Sequence, residues 1–489
     1  MYRAIFTLLL LLTVSCGKSD IDRAENTPGS NQGNTENNGD NNNSGSSDKP
    51  VEWGDERSYV FDLSSLPEVH MTISLKEWNR MLSEYDKNSN TKEYFHCDVD
   101  MKLKGENYIV NDAGVRLKGN TSRRRPENSN GDHVKDNADW QHCHFQFNFR
   151  KYNKDEEHTL RGVRKLHLKW FKDDSAYCRE IYCYDLFRRF GVWTAAESCY
   201  CRLWIEVEGD SKPAYYGVYG MYETIDDTFL KMRKDGFESH KGNLWKCRWG
   251  ASLNYDRDKN ADFGVDDNIS DHTYELEESG IDDLNSSKAQ LLHFMKQLRD
   301  LKGDALHDWL GQTIDIELLM RTYAVNVAVG MWDDYWNNTN NYYIYFNSTD
   351  TENYKFYLLP YDYDNSLGTS HNCGIQSDSG RQNPLNWGDG NISPLIAKIL
   401  QFEDYRKIYT DALNELCSGS SDFYYTKSIS RIKRWHAMIE RYIDNDTGED
   451  CQIIDRPASW GNHHEYRLWE STDSNTNWFR VKAASISKK

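Results

Sequence analysis

The sequence predicts an α+β protein with an antiparallel-sheet-rich N-terminal half and a helix-rich C-terminal half. Short runs of alternating apolar and polar residues fill residues 59–149, which is the pattern of half-buried strands. Helical periodicity dominates after residue 289, and a hairpin pattern occupies residues 331–368. With 489 residues, the chain is long enough for two or three domains, or for one large bilobal domain with an ample core.

The N-terminus resembles a bacterial lipoprotein signal peptide over residues 1–15. It has an early Arg3, an apolar run too short to remain as a spanning helix, and small residues before Cys16. We expect cleavage before Cys16 and lipid attachment to it, although Thr13 stands where Leu is usual; an ordinary secretory signal is the alternative. Residues 16–50, mostly Asn, Gly, Ser and Asp, are predicted to form a disordered tether. These features predict an exported protein, lipid-anchored to a bacterial membrane at the outer membrane or cell surface.

The composition excludes some classes of partner. A net charge of −18 and a pI of about 5.3 argue against nucleic acid, because such a chain has no field that attracts polyanions. Aromatic residues make up 13% of the chain, and we expect most of them in the core, with exposed rings that bind a glycan as the alternative. The N-terminal lipid is the only expected contact with a membrane.

Ten cysteines follow Cys16. An even set in an exported protein permits disulfides, but the order of the cysteines does not fix their pairing. His96-Cys97 and His142-Cys143-His144 lack the CxxC partner that structural zinc sites use, so we do not expect structural zinc.

Residues 51–250 are predicted to form a sheet-rich N-terminal lobe, with one early helix at Leu75 to Tyr85. A polar loop between Gly119 and Asp139 begins Gly-Asn-Thr-Ser and continues with three arginines. Hydroxyls, backbone amides and guanidinium groups at a strand end suit phosphate binding. The candidate nucleotide-binding residues of this loop are Gly119, Asn120, Ser122 and Arg123. A solvated basic loop is the alternative, and the loop alone favours it.

The next predicted elements carry further candidates. A helix capped by Asp173 or Asp174 is predicted from its apolar repeat of three and four residues, ending at Gly191. Two strands follow, the second ending at Glu223, and GNLWKC then places Lys246 in another strand. Lys169 and Lys246 are candidates for holding nucleotide phosphates, and Glu223 is a candidate partner for either lysine. The alternative is that both lysines are ordinary edge or surface residues.

Residues 251–489 are predicted to form a helix-rich C-terminal lobe. Helices are expected at Ala289 to Leu301 and at Asp315 to Val329, the second with Asp315 as its cap. The second helix leads directly into the acidic run that begins at Asp333. After a polar loop, helical patterns dominate again from Ser393 to about Ile443.

The hairpin at residues 331–368 is the most informative segment. Two aromatic and aliphatic runs, YYIYF and KFYLLPY, flank a polar turn, which predicts two antiparallel strands. The hairpin would bring the cluster Asp333 to Asn341 back toward Asp362 to Asp364, so that distant carboxylates meet and form a metal site. Protein kinases use the same order: a base Asp, an Asn, two strands, and then a metal-binding Asp followed by Gly.

Six stretches together resemble the spore-coat protein H (CotH) kinase family. They are VRLKGNTSRR, KLHLKWFKDDSAYCRE, YYGVYGMYETIDDTFL, GNLWK, the run from Trp332 to Tyr345, and LLPYDYDNSLG. The resemblance implies a divergent, protein-kinase-like bilobal fold. It also implies use of ATP with Mg²⁺ or Mn²⁺ and transfer of the terminal phosphoryl group to a hydroxyl.

Residue by residue, the resemblance assigns Asp333 as the catalytic Asp and Asn341 as the Asn that opens the aromatic strand. Asp334 and Asn338 are close enough in sequence to exchange these roles. Asp362 would bind metal with Asp364 as helper, so the implied metal ligands are Asn338, Asn341, Asp362 and Asp364. The resemblance carries Lys169, Lys246 and Glu223 to the nucleotide site.

One departure from the family pattern keeps a second class of function open. Many members have a lysine before the strand that reads HFQFNF here, whereas this chain has His142 and His144, and neutral histidine steadies phosphate less well. The leading hypothesis is an atypical kinase that phosphorylates protein Ser or Thr hydroxyls. The alternatives are a catalytically inactive, kinase-like surface lipoprotein that binds glycan or protein partners, and a kinase for sugars or other small molecules.

Overall fold

The structure is a computed structural model that describes residues 55–155, 157–267, 270–370, 378–458, 462–463 and 466–487. All of these lie in a unit that extends over Lys49–Lys489. The predicted signal peptide, Cys16 and the tether lie outside the described residues. None of the helices in the described part of the chain combines the length and apolar character that crossing a membrane requires.

The strands of the described residues, in chain order, are β1 Glu68–Ile73, β2 Phe95–Leu103, β3 Glu106–Lys118, β4 His144–Asn148, β5 Lys165–Lys169, β6 Ser198–Val207, β7 Ala214–Glu223, β8 Asn243–Cys247, β9 Phe263–Val265, β10 Tyr274–Glu278, β11 Tyr342–Phe346, β12 Phe356–Pro360, β13 Thr369–Ser370 and β14 Asn462–His463.

The α-helices of the same residues are α1 Asp55–Val60, α2 Leu75–Lys87, α3 Arg179–Arg189, α4 Asp227–Met232, α5 Lys234–Phe237, α6 Tyr255–Asp258, α7 Leu284–Asp300, α8 Gly303–Thr313, α9 Ile316–Val329, α10 Tyr335–Asn338, α11 Pro394–Leu400, α12 Glu403–Leu416, α13 Tyr425–Ile439 and α14 Trp478–Ile486, and a 3-10 turn spans Glu440–Tyr442.

The first seven strands form a closed barrel in the order β1-β2-β3-β4-β5-β7-β6. Neighbouring strands are antiparallel except β1 and β6, which pair in parallel and close the barrel. Alternate residues point inward, as in β2, where Phe95, Cys97, Val99 and Met101 are buried and the residues between them are more exposed. The outward residues of β3, β4 and β5 therefore form a polar wall.

A second sheet has the order β12-β11-β8-β10-β9. Strands β11 and β12 are the predicted hairpin, with Tyr342 opposite Pro360 and Phe346 opposite Phe356. All residues of both strands are buried, which explains their unbroken aromatic and aliphatic character. Strand β8 pairs with the other edge of β11, so that Lys246 lies opposite Tyr343. Helices α3, α7 and α9 pack into the apolar core that surrounds this sheet.

The mixed α+β content of the described residues confirms that part of the predicted fold class. The closure of the N-terminal strands into a barrel was not predicted, because it depends on the parallel pairing of β1 with β6, about 130 residues apart in sequence. The lobe boundary at residue 250 stays a prediction, although β8, which precedes it, belongs to the second sheet.

Two local predictions have definite outcomes. Helix α9 begins after Asp315, whose carboxylate accepts the Leu318 amide at 3.0 Å, as predicted. The helix predicted from Asp173 or Asp174 begins only at Arg179, with the Asp174 carboxylate accepting the Arg179 amide at 2.9 Å. The nine described cysteines are free thiols, and Cys373 lies outside the described residues.

Candidate functional site

Asp333 lies in a tight turn that follows α9. The helix ends at Gly330, whose φ of +67° reverses the chain direction, and Asp333 is only 7% exposed. Oδ1 of Asp333 accepts hydrogen bonds from the Asn338 amide at 2.5 Å and the Asn340 amide at 3.1 Å. Oδ2 accepts one from the Asn341 amide at 2.9 Å. Three asparagines therefore orient one carboxylate at the opening of the hairpin.

Burial raises the pKa of Asp333, and the nearby charge of Asp362 adds to this rise. The three amide hydrogen bonds act in the opposite direction because they favour the charged carboxylate. A carboxylate whose pKa is raised toward neutrality is a better proton acceptor than an exposed one. Asp333 is thus an oriented, partly desolvated carboxylate.

Asp334 has a different role from Asp333. Its Oδ1 accepts a hydrogen bond from the backbone N–H of Asn337 at 2.7 Å and so caps α10. Its Oδ2 accepts one from the side-chain amide of Asn326 at 2.5 Å. Burial raises its pKa to about 8. The proposed exchange of roles between Asp333 and Asp334 is therefore not supported, because Asp334 serves the local fold.

The backbone of the site is strained at three residues. Thr339, Asn341 and Asp362 have φ values of +51°, +53° and +60°, in the left-handed region that L-residues seldom adopt. Each such conformation costs on the order of 1 kcal/mol and persists only when its surroundings hold it. Such residues cluster at functional sites.

Asp362 follows β12 and is bound by a lysine from the barrel. Nζ of Lys169, at the end of β5, lies 2.6 Å from Oδ1 of Asp362 and 2.6 Å from Oε2 of Glu180 in α3. Burial opposes the charge of Lys169, but the two carboxylates outweigh it and hold the lysine pKa well above its usual range. Lys169 therefore links the barrel, α3 and the hairpin.

The acidic hairpin brings its two clusters together, as the sequence predicted. Asp364 is buried enough that its pKa rises well above its usual range, and the charges of Asp362 and Asp333 raise it further. The same Asp362 charge raises the pKa of Asp333. Neighbouring negative charges disfavour one another, and a bound cation would reduce this repulsion among the three carboxylates.

The polar wall of the barrel faces Asp362 with several cations. Nζ of Lys118, in β3, donates to the Tyr361 hydroxyl at 3.0 Å and lies 2.9 Å from Nδ1 of His167. Burial and the charge of Lys246 hold the pKa of Lys118 well below its usual range. Burial and the charge of Lys118 likewise hold His167 neutral, with a pKa well below its usual range.

Lys246 comes to the same place from the second sheet. Its Nζ lies 5.3 Å from the Tyr361 ring centroid and 5.8 Å from that of Tyr343. Burial lowers its pKa to about 8, and the charge of Arg248 adds to this. Crowded cations with lowered pKa values indicate a site suited to a polyanion.

The loop after β3 has one tight turn. Gly119 has a φ of +109°, and a Cβ there would lie 2.4 Å from Oγ of Ser122, so only glycine fits. Arg123 donates to the Thr91 carbonyl at 3.0 Å, and burial with the nearby charge of Arg116 lowers its pKa to about 10. Asn120 is exposed at the tip of the turn.

The two arginines that follow are used elsewhere in the structure. Arg124 pairs with Glu449 at 3.0 Å, and Arg125 pairs with Asp86 at 2.9 Å. Only the start of the predicted phosphate loop therefore remains available as a candidate, namely Gly119, Asn120, Ser122 and Arg123.

The predicted pairing of Glu223 with Lys169 or Lys246 is not found. The Glu223 carboxylate accepts two hydrogen bonds from the Arg233 guanidinium, at 2.9 and 2.7 Å, and one from the backbone amide of Glu197. Glu223 and Arg233 are both almost fully buried. Glu223 belongs to a structural ion pair, and Glu180 is the acidic partner of Lys169.

His142 and His144 serve the barrel rather than a phosphate. Nε2 of His142 donates to the Tyr216 carbonyl at 2.7 Å, and Nδ1 of His144 accepts the Trp170 amide at 3.1 Å. Burial and the charge of Lys169 keep the pKa of His144 well below its usual range. Lys118 and Lys246 lie near enough to act on the charge of Asp362.

Sequence reasoning missed Glu180, Lys118 and Arg116. A signal existed for each: Lys118 and Arg116 alternate with buried residues along β3 just before Gly119, which places both on the polar wall. Glu180 lies in the first turn of the helix that follows Lys169. The partners of Lys118 lie 49 and 243 residues away, and those of Arg116 and Glu180 lie in other elements, so local pattern could not identify the contacts.

The predicted metal ligands are of the chemical type that a divalent cation binds, but they do not form a complete cage. Asp362, Asp364 and the asparagine amides offer the oxygen ligands that Mg²⁺ and Mn²⁺ prefer. Among the described residues, no three His, Cys, Asp or Glu side chains are placed to hold a metal by themselves. Phosphate oxygens complete such sites in phosphoryl-transfer enzymes, so a partial protein shell is consistent with this chemistry.

A cavity of about 430 Å³ lies in another part of the molecule, lined by residues that include Lys433, His436 and Trp469. It contains none of the predicted site residues. The candidate site is therefore identified by its charges and hydrogen bonds, and not by the size of an enclosed cavity.

Residues 115–469, well over half of the chain, match a family model described as CotH kinase protein. The match includes every predicted site residue except Cys16. No curated protein matches the chain.

Proposed function

Because the chain belongs to the CotH kinase protein family, we propose that it transfers the terminal phosphoryl group of ATP to Ser or Thr hydroxyls of a protein. Kinase-like function follows from the family; the acceptor and the nucleotide are part of the proposal. The proposal includes a kinase-like bilobal arrangement in which the barrel acts as the N-terminal lobe and the helix-rich part as the C-terminal lobe.

One observation carries the proposal: Lys169 bridges Glu180 and Asp362 at 2.6 Å each. Protein kinases need an ion pair between a strand lysine and a helix glutamate, together with a metal-binding aspartate after a strand. Here β5 supplies the lysine, α3 the glutamate and the segment after β12 the aspartate. The glutamate and the aspartate that the proposal assigns to phosphoryl transfer therefore both contact the ammonium of the assigned lysine.

The cations around this bridge support binding of a triphosphate. Lys118 and Arg116 come from the polar wall and Lys246 from β8. Burial lowers the pKa of Lys118, and repulsion from Lys246 and Arg116 lowers it further. Several phosphate oxygens would replace this repulsion with charge-assisted hydrogen bonds. The basic start of the loop at Gly119 adds backbone amides and the Ser122 hydroxyl at the same strand end.

Asp333 would accept the proton of the attacking hydroxyl. Asn338, Asn340 and Asn341 hold its carboxylate in a fixed orientation, which is the contribution of a positioned base. A divalent cation, when bound, neutralises charge on the phosphate oxygens. Asp362 and Asp364, with the amide oxygens of Asn338 and Asn341, would hold it.

The histidines at 142 and 144 do not favour an inactive protein. Their rings are engaged in the barrel, and Lys118 and Lys246 provide the charges that an inactive site would lack. A sugar or other small hydroxyl compound remains the other acceptor class.

The test is incubation of the purified protein with labelled ATP and Mg²⁺ or Mn²⁺. We expect labelling of the protein itself or of a protein acceptor such as casein, and no labelling of free sugars. Absence of labelling, combined with no change in melting temperature on addition of nucleotide and metal, would overturn the proposal and favour the inactive binding protein.

We also propose that the protein is exported and lipid-anchored through Cys16 at the outer membrane or cell surface. The basis is the N-terminal sequence alone, since these residues lie outside the described part. A Cys16→Ser variant is expected to leave the membrane fraction, and unchanged membrane retention of the variant would contradict the proposal.

We expect the affinity for ATP to fall as the pH rises through about 8, because the pKa of Lys246 is about 8. Below this pH the ammonium is charged and attracts phosphate; above it the free protein must take up a proton to bind. Calorimetric titration with metal-free ATP should show Kd rising toward about tenfold per pH unit above this pKa. Lys246→Gln should remove this step, and identical pH dependence in both proteins would show that Lys246 does not contact the nucleotide.

A further inference from the structure

Asp362, the carboxylate best placed to bind a metal ion, already has a cation. Lys169 lies 2.6 Å from it, with its side chain only 13% exposed, while the Asp362 side chain is 33% exposed. Lys169 is held from the other side by Glu180, also at 2.6 Å. A metal ion that approaches Asp362 alone must compete with an ammonium group that two carboxylates fix in place.

The surroundings of Asp362 oppose a second positive charge. The positive charges of Lys118 and Lys246, like that of Lys169, stabilise the charged form of the Asp362 carboxylate. In the part of the chain that the structure describes, no three Asp, Glu, His or Cys side chains are placed together to hold a metal ion against this repulsion. A metal ion must therefore compete with three lysines for the Asp362 carboxylate.

A nucleotide would weaken both obstacles to metal binding, namely the pairing of Lys169 with Asp362 and the positive charges of Lys118 and Lys246. Its phosphates bring negative charge to Lys118 and Lys246 and offer Lys169 a new partner. Glu180 remains to hold the lysine as it leaves Asp362, so the ammonium is never left without a counterion. The carboxylate of Asp362 then becomes free at the moment when phosphate oxygens can complete the coordination of a metal.

We propose that Lys169 makes metal capture conditional on nucleotide, so that free metal binds poorly and nucleotide binds first or together with its metal. This inference rests on the proposed function. It predicts that nucleotide and metal strengthen each other's binding by the same factor, as linkage requires.

The test measures Mn²⁺ bound to the protein by electron paramagnetic resonance, with and without a non-hydrolysable ATP analogue. For the unaltered protein we expect the analogue to tighten Mn²⁺ binding by at least about tenfold, and Mn²⁺ to tighten analogue binding equally. In Lys169→Met, Mn²⁺ alone should bind at least about tenfold more tightly than in the unaltered protein.

Lys172→Met is the charge-matched control, because Lys172 pairs with the adjacent Asp173 at 2.6 Å and its removal leaves the Lys169 bridge intact. The double variant Lys169→Met with Glu180→Gln removes one unpaired carboxylate, and it repeats the measurement if the single variant folds poorly. Circular dichroism of each variant verifies the fold.

Equal Mn²⁺ affinity with and without the analogue in the unaltered protein would overturn the inference, as would unchanged Mn²⁺ binding in both variants that lack Lys169. If the protein also transfers phosphoryl groups, only this inference fails. If the analogue does not bind with or without Mn²⁺, both the inference and the proposed function fail.

Discussion

Replacing Asp333 with Asn is expected to lower kcat for phosphoryl transfer by about 100- to 10,000-fold, the usual contribution of a positioned general base. Asn has nearly the same shape as Asp and retains an oxygen that accepts from the neighbouring amides, but it cannot take the proton of the hydroxyl. Because Asp333 is placed to act on the acceptor, the Kd for nucleotide should change little. Steady-state transfer of labelled phosphate and a separate nucleotide titration measure the two effects.

The adjacent Asp334→Asn is a matched control. Asp334 is buried, caps α10 and has a pKa of about 8, so it is mostly uncharged at neutral pH and an amide resembles that state. We expect kcat within a few-fold of the unaltered protein. If Asp334→Asn abolishes transfer while Asp333→Asn retains more than a tenth of it, Asp333 is not the base.

The hairpin could be predicted from sequence because its information is local. The runs YYIYF and KFYLLPY are each continuous, and the connection between them is polar, so strand pairing followed from neighbouring residues. The convergence of Asp333 with Asp362 then follows from the pairing of β11 with β12. The cap and the end of α9 were equally local, since Asp315 and Gly330 lie beside the helix that they bound.

The barrel and the true partner of Lys169 could not be found in this way. The parallel pairing of β1 with β6 and the bridge from Lys169 to Asp362, 193 residues apart, are set by tertiary packing. Glu223 was selected because it ends a strand, but a buried arginine ten residues later, Arg233, claims its carboxylate. A strand-end glutamate has no local feature that tells these two partners apart.

The histidines at 142 and 144 show the same limit of a family pattern. The family pattern indicated a missing lysine at these positions. In the folded protein, Lys118 and Lys246 approach Asp362 from two other strands. Cations that surround a site can be exchanged between strands without changing the field that a phosphate experiences. Conclusions about activity from a single substituted position therefore require the structure of the whole wall.

Lys169→Met is expected to affect both activity and stability. The variant loses the ammonium that touches both Glu180 and Asp362, so transfer should fall by about 100- to 1,000-fold, as when one preorganised donor is removed. Two carboxylates are also left without their partner, which should lower the free energy of unfolding by about 3 kcal/mol, the lower end of the range for a broken buried pair because Asp362 is a third exposed. Denaturant unfolding in EDTA and the labelled-ATP assay measure the two losses.

The two losses have different causes, and Glu180→Gln separates them. Gln leaves Lys169 paired with Asp362, so the ammonium stays charged and only its second anchor is lost. We expect a smaller loss of unfolding free energy than in Lys169→Met, because no buried charge is left without a partner. Transfer should still fall, because without Glu180 the lysine would lose its remaining carboxylate partner when it moves from Asp362 to a phosphate. If both Glu180→Gln and the control Lys172→Met transfer phosphate as fast as the unaltered protein, Lys169 acts without its helix partner and the assignment of α3 to the site is wrong.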